Sequence, residues 1–204
     1  IAIDTPMIKG HKGAVTDLAF SPFKNNLLST SCEDNCLRLF MLDDVKNWKS
    51  HVTEADDVVE MAHTAKMTSL KWHNCVENLI ATAGRDGYVK LWDAYDTNEA
   101  LYSLTDLGGN VNHMDWSQDG KLLGMTLKDG ATNFLSMDPR ESESVVICDT
   151  GLNNRGTRVQ WINDDLVLLT GFNSSAQRGW SVIDMRNPST PMKKGVLGDG
   201  IGIA

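Results

Sequence analysis

The chain has 204 residues, 41% hydrophobic and 23% charged, which is ordinary globular material and excludes disorder and collagen-like structure. Nineteen basic against 27 acidic residues leave a formal charge of −8, so the whole-chain field repels nucleic acid and anionic membrane; no nucleic-acid partner is expected. The longest apolar runs, 145–148 and 166–169, are far short of the roughly 18 residues a transmembrane helix needs, so no transmembrane segment is expected.

In chain order the predicted elements are short alternating runs of strand type separated by Gly, Asn, Asp and Ser, and they repeat. The first unit, 10–42, holds Gly10-His11, Val15-Thr16-Asp17-Leu18-Ala19-Phe20, Leu27-Leu28-Ser29-Thr30, Glu33-Asp34 and Leu37-Arg38-Leu39-Phe40. Residues 43–60 carry six acidic side chains against Lys46 and Lys49, half of the net charge, and read as an acidic insertion between units. Trp48 within it has no repeat equivalent.

The second unit, 62–94, repeats the first: His11 and His63, Phe20 and Trp72, Asp34 and Asp86, Phe40 and Trp92 are each 52 residues apart. A third unit, 103–140, keeps Val111 to Trp116 and Lys128-Asp129-Gly130 but no Gly-His. A fourth, 145–186, is looser, and 196–204 reads as the start of a fifth. The Gly-rich tail lacks the Lys-Ser/Thr of a phosphate loop and reads as a turn into the next unit. A fixed period of 40 to 50 residues is the mark of a repeat fold.

Gly-His near the start and Trp-Asp at the end, as in His63, Trp92 and Asp93, resemble the WD40 repeat, so the fold class expected is an all-β WD40 β-propeller of about four blades. In such a unit the His, a strand hydroxyl, the turn Asp and the Trp can share one buried hydrogen-bonded chain. The residues expected in it are His11, Thr30 and Asp34 in unit one and His63, Thr82, Asp86 and Trp92 in unit two. The same set invites a hydrolase triad, but a triad also needs an exposed nucleophile and an oxyanion hole, and recurrence at the repeat spacing favours internal bonding. No catalytic residue, cofactor or metal is expected. Cys32 and Cys36 flank a turn as free thiols, since no second pair completes a metal site. His51, His73 and His113 are expected to be solvated. Asn173-Ser174-Ser175 is a formal glycosylation triplet, of no consequence in a cytosolic chain.

Propellers meet partners with the turns and entering strands at one end of the blades. The candidate protein-contact face is Lys9, Lys12, Thr16, Glu33, Thr68, Arg85, Asn112 and Lys128.

Beyond generic WD40, Ile3-Asp4-Thr5-Pro6 leading into Gly10-His11 and then Thr16-Asp17-Leu18-Ala19-Phe20-Ser21-Pro22-Phe23 resembles a coronin second blade. Met137-Asp138-Pro139-Arg140, and Leu169-Thr170-Gly171-Phe172-Asn173 with Ile183-Asp184-Met185-Arg186, resemble later coronin blade ends. The nearest likeness is to the long, tandem-propeller coronins. That resemblance implies part of a seven-bladed ring and a non-catalytic platform that binds actin filaments and regulates the cytoskeleton. It also implies other cytoskeletal or trafficking partners and a cytoplasmic, cytoskeleton-associated location with a link to Golgi or vesicle traffic. The alternative is a generic WD40 scaffold or substrate receptor in a ubiquitin-ligase or trafficking complex. Four sparse cysteines suit a reducing compartment, and an opening without Met or a secretory signal reads as a piece of a longer cytosolic protein.

Overall fold

The computed structural model describes residues 7–42, 51–128, 134–141, 144–148, 150–152 and 156–198. Among the described residues sixteen strands form four antiparallel sheets, each a meander whose spatial order is its chain order. Blade one holds β1 (Val15–Phe20), β2 (Leu27–Cys32), β3 (Leu37–Met41) and β4 (Asp57–Val59). Blade two holds β5 (Met67–Trp72), β6 (Leu79–Gly84), β7 (Val89–Asp93) and β8 (Tyr102–Leu104). Blade three holds β9 (Val111–Trp116), β10 (Leu123–Leu127), β11 (Phe134–Met137) and β12 (Ser144–Cys148). Blade four holds β13 (Arg158–Trp161), β14 (Leu166–Phe172), β15 (Arg178–Asp184) and β16 (Lys193–Gly198).

The strands form where the alternation is clean. In β14 and β15 every second residue is buried, the period-two signature of a pleated sheet. The β2–β3 and β6–β7 turns place Asn35 at φ 67° and Gly87 at φ 83°, equivalent repeat positions filled by residue types that tolerate left-handed backbone.

The units expected from sequence and the observed sheets differ by one strand. β4 lies inside the stretch 43–60 expected to be an insertion, yet it pairs with β3 as the outer strand of blade one. Likewise β8 pairs with β7, β12 with β11, and β16 with β15, so 193–198 closes blade four instead of opening a fifth unit. The reason is geometric: by turning back beside the third strand the chain pairs the backbone groups that strand would otherwise leave unpaired at the sheet edge. The segments 43–50 and 199–204, with Trp48, lie outside the described residues.

Apolar side chains are buried chiefly between blades. Leu37, Leu39 and Val59 meet Met67, Leu70, Trp72 and Ile80 between blades one and two. Ala81, Ala83, Val89 and Leu91 meet Met114, Trp116, Leu123 and Met125 between two and three. Phe134 meets Val159, Trp161, Val167 and Ile183 between three and four. The inner strand therefore buries one face of its residues against the preceding blade. Leu70 and Trp72 are 1% and 5% exposed, whereas their blade-one equivalents Leu18 and Phe20 are 58% and 52% exposed. Blade one presents an open apolar face.

Candidate functional site: a bonded blade end and the surface it holds

In blade two the expected chain is complete. His63 Nδ1 lies 3.0 Å and 3.1 Å from the Asp86 carboxylate oxygens, and Nε2 lies 2.9 Å from Thr82 Oγ1. The carboxylate can only accept, so Nδ1 carries the proton and Nε2 accepts from the Thr82 hydroxyl. The Trp92 indole N–H donates to Thr82 Oγ1 at 2.8 Å. Asp86 also accepts from the Thr64 amide at 2.9 Å and the Tyr88 amide at 3.3 Å. Gly84 makes room: a Cβ there would stand 2.5 Å from His63 Nδ1 and 2.6 Å from Asp86 Oδ1. Burial holds His63 below its ordinary pKa, and the ring is neutral. Burial alone would raise the Asp86 carboxyl, but the His63 ring and the amides outweigh it and hold it below its ordinary value.

Blade one corrects the expectation for its own set. Arg38, 5% exposed, reaches Asp34 with its two terminal guanidinium nitrogens, at 3.0 Å and 2.7 Å. His11 Nδ1 sits 3.4 Å from Arg38 NH1, and the ring meets Phe40 edge-on at 5.8 Å. Thr30 Oγ1 is left with a 3.5 Å contact to the Arg38 carbonyl. The cause is two substitutions at repeat positions. Phe40 has no N–H to donate to the hydroxyl, and Arg38 outcompetes the imidazole for the carboxylate through a bidentate pair. Its blade-two equivalent, Lys90, turns away to the Ala62 carbonyl at 2.7 Å. The Arg38 guanidinium and the Lys12 amide overcome the effect of burial and hold Asp34 well below the usual carboxylate range. Sequence reasoning missed Arg38; the signal available was a long cation at matching positions in two units.

A second set missed from sequence joins the blades. Asp17 Oδ2 in β1 accepts from the Leu70 amide of β5 at 3.0 Å, and Asp115 Oδ2 in β9 accepts from the Trp161 amide of β13 at 2.9 Å. The His113 ring nitrogen Nδ1 faces the Val159 amide at 3.4 Å. His113 is thus half-buried at a joint instead of solvated, and burial, with Lys71 and Arg158 nearby, pushes its pKa down to about 4. His73, 5% exposed, also departs from expectation: Nε2 binds the Gly120 carbonyl at 2.9 Å, and Nδ1 accepts from the Cys75 and Val76 amides. Among the described residues no three His, Cys, Asp or Glu side chains converge as metal ligands.

The candidate contact residues fall into two groups. Thr16, Thr68 and Asn112 line one cavity of about 200 Å³ with Arg158, where the inner strands of all four blades approach. The Thr68 hydroxyl donates to the Val111 carbonyl at 2.7 Å, and Asn112 Nδ2 to the Thr157 carbonyl at 2.9 Å, so both also join neighbouring blades. Lys9, Lys12, Glu33 and Arg85 are exposed, and Lys128 is half-buried. Glu33 pairs with Lys66 across the first two blades, and the Lys12 amide donates to Asp34 Oδ2 at 3.1 Å. Asn173, of the glycosylation triplet, closes the β14–β15 turn by accepting from the Ser175 and Gln177 amides.

A family model for the WD domain, G-beta repeat, matches residues 4–40 and 57–93. The four meander sheets, the bonded blade end and this match define a WD40-repeat β-propeller segment. Coronin-7 of Rattus norvegicus is 31% identical over 167 residues, covering 81% of this chain and 18% of that protein. The coronin-like protein of Saccharomyces cerevisiae is 25% identical over 201 residues, covering 95% of this chain and 30% of its own. The crystal structure of the WD40 domain from Toxoplasma gondii coronin superposes with a TM-score of 0.82 and 26% identity, covering 95% of this chain and 50% of that one. The chain is a coronin-like propeller segment that spans less than a third of these two curated relatives.

Proposed function

We propose that this chain is part of a non-catalytic coronin-type platform that binds actin filaments through several surface contacts at once. The observation that carries this reading is the use of His63, Asp86 and Thr82 on one another and on Trp92, which makes the set a brace for the blade end and leaves no free nucleophile. Such a brace favours rigid presentation of Lys9, Lys12, Glu33, Arg85 and Lys128, with Thr16, Thr68 and Asn112 nearer the axis. A mixed-charge surface of this kind sets encounter rate and register more than strength. The reading extends to a cytoskeleton-associated place in the cytoplasm and a role in Golgi or vesicle traffic, both resting on the coronin likeness alone. Filament co-sedimentation of the full-length protein, repeated at raised salt, tests it: pelleting that weakens with salt is expected, and failure to pellet at every ionic strength overturns the actin reading.

A further inference from the structure

We propose that the groove between blades two and three, at the strand ends opposite the Asp86 turn, is a docking site for a short segment of another protein that carries an apolar side chain flanked by acidic ones. The groove encloses about 380 Å³, enough for one or two side chains, and is walled by His73, Val76, Leu79, Leu91, Tyr102 and Trp116. Val76 and Tyr102 form apolar lips, 49% and 51% exposed, over a floor of buried residues. Blades two and three each have a described neighbour on both sides, so this groove is complete within the chain.

The groove is held open by its own bonding. His73 joins the 73–76 turn of blade two to Gly120 of blade three and packs on Trp116 with ring centroids 4.5 Å apart. Gly120, at φ +73°, is the residue that permits this approach, because a Cβ there would collide with His73 Cε1. Asn74 Nδ2 donates to the Ser117 carbonyl at 3.0 Å, a second tie across the same boundary. A preformed groove lowers the ordering cost of binding.

Charge complementarity selects the occupant. The rim carries two ion pairs, Lys121 with Asp119 and Arg140 with Asp138. In each the cation projects while the carboxylate is recessed: Lys121 and Arg140 side chains are 68% and 65% exposed, Asp119 and Asp138 only 33% and 13%. Both carboxylates also accept from main-chain amides, of Lys121 and Arg140 respectively, so each keeps a partner if its cation turns to an incoming acid; Lys121 would give up one ion pair and Arg140 part of a two-point pair to Asp138. The rim's two cations and two carboxylates balance in charge, but an apolar floor under a rim whose cations face outward and whose carboxylates are recessed fits an acidic, apolar peptide and disfavours a basic one. The site lies at the far end of the strands from the proposed filament surface and does not depend on it.

The test is fluorescence anisotropy of the full-length protein with a fluorescein-labelled peptide containing Asp-Glu-Leu-Phe-Asp, against controls with Lys for every acid or Ser for Leu and Phe. The expected result is binding about tenfold tighter than either control, weakened about fivefold or more by Val76→Glu and by Arg140→Glu, and unaffected by Arg85→Ala. Alkylation of the exposed Cys75, which lines the groove, should slow when the acidic peptide is present. Equal affinity for the three peptides, or binding indifferent to both variants, overturns the proposal. Should Val76→Glu fail to fold, the surface variant Arg140→Glu decides alone. A dimer in sedimentation that Val76→Glu or Arg140→Glu abolishes would assign the groove to a second copy and overturn the peptide reading. Filament pelleting with normal strength alongside failed peptide binding would refute this site and leave the actin reading intact.

Discussion

Thr82 holds two buried polar groups at once, so its replacement has a calculable effect. Thr82→Val removes the acceptor for the Trp92 N–H and the donor to His63 Nε2, leaving both without partners, at a cost of about 2–3 kcal/mol. Thr30→Val, at the matching position of blade one, removes only a 3.5 Å contact and should change stability by about 0.5 kcal/mol or less. Denaturant unfolding of the two variants side by side checks the contrast. Equal losses would mean that Thr30 bears a role the Asp34–Arg38 pair does not reveal. His113 makes a second prediction at this scale. Its pKa is pushed down to about 4 by burial, with Lys71 and Arg158 adding to the effect. A ring that resists protonation when folded but accepts it when unfolded contributes stability above pH 6.5 that is lost as pH falls toward 4, on the order of 3 kcal/mol at most. Stability measured against pH should slope through that window, and His113→Asn should flatten the slope. His11, His63 and His73 are depressed in the same direction and add to it.

Among strands, the inner ones repeat a motif with one defect. The Trp72 indole donates to Ser29 Oγ at 2.7 Å and to the Ala19 carbonyl at 3.2 Å, and Trp161 donates to the Asp115 carbonyl at 3.0 Å. Trp116, at the matching place in β9, has a buried indole nitrogen without a partner. The position equivalent to Ser29 in blade two is Ala81, fully buried and without a hydroxyl. Ala81→Ser should supply the acceptor and stabilise by about 1 kcal/mol, read as a rise of about 2–4 °C in the thermal midpoint. A fall would show that β6 has no room for the oxygen. The inner and middle strands were legible in the sequence because they alternate over five or six residues at a kept register. The outer strands β4 and β8, three residues each, carry too little pattern to declare which sheet they join. Only the pairing reveals that each belongs to the blade before it. The joints made by Asp17 and Asp115 were hidden for a different reason: each takes a main-chain amide, which leaves no mark in a sequence, together with one ordinary polar side chain, Ser69 or Gln160. The blade-two brace was legible in full, and blade one was misread because an arginine pair displaced the imidazole.

For the whole molecule, the open face at Leu18 and Phe20 has the composition of an interior, since their equivalents in blade two are buried against a neighbour. The 204-residue chain produced by itself should therefore self-associate, and Leu18→Asp with Phe20→Ser should reduce the effect. Analytical sedimentation gives the answer, and a monodisperse monomer of the unaltered chain would contradict the expectation. The period of 52 residues was enough to identify sheets stacked around an axis, because four landmarks keep that spacing; the groove between blades two and three was not, because it is assembled from turns that have no common motif.

The inter-blade joints have a direction. Blade one offers a carboxylate at Asp17 and blade three a carboxylate at Asp115; each accepts a peptide N–H of the receiving strand, from Leu70 or Trp161, and a side-chain donor beside it, Ser69 or Gln160. Every residue except proline supplies the peptide group, so that part of each receiving contact is indifferent to side-chain identity, while the carboxylate that accepts it is not. A duplicated blade could thus be spliced behind either carboxylate and find its main-chain connection ready, whereas one placed ahead of Leu70 would have to bring an acceptor of its own.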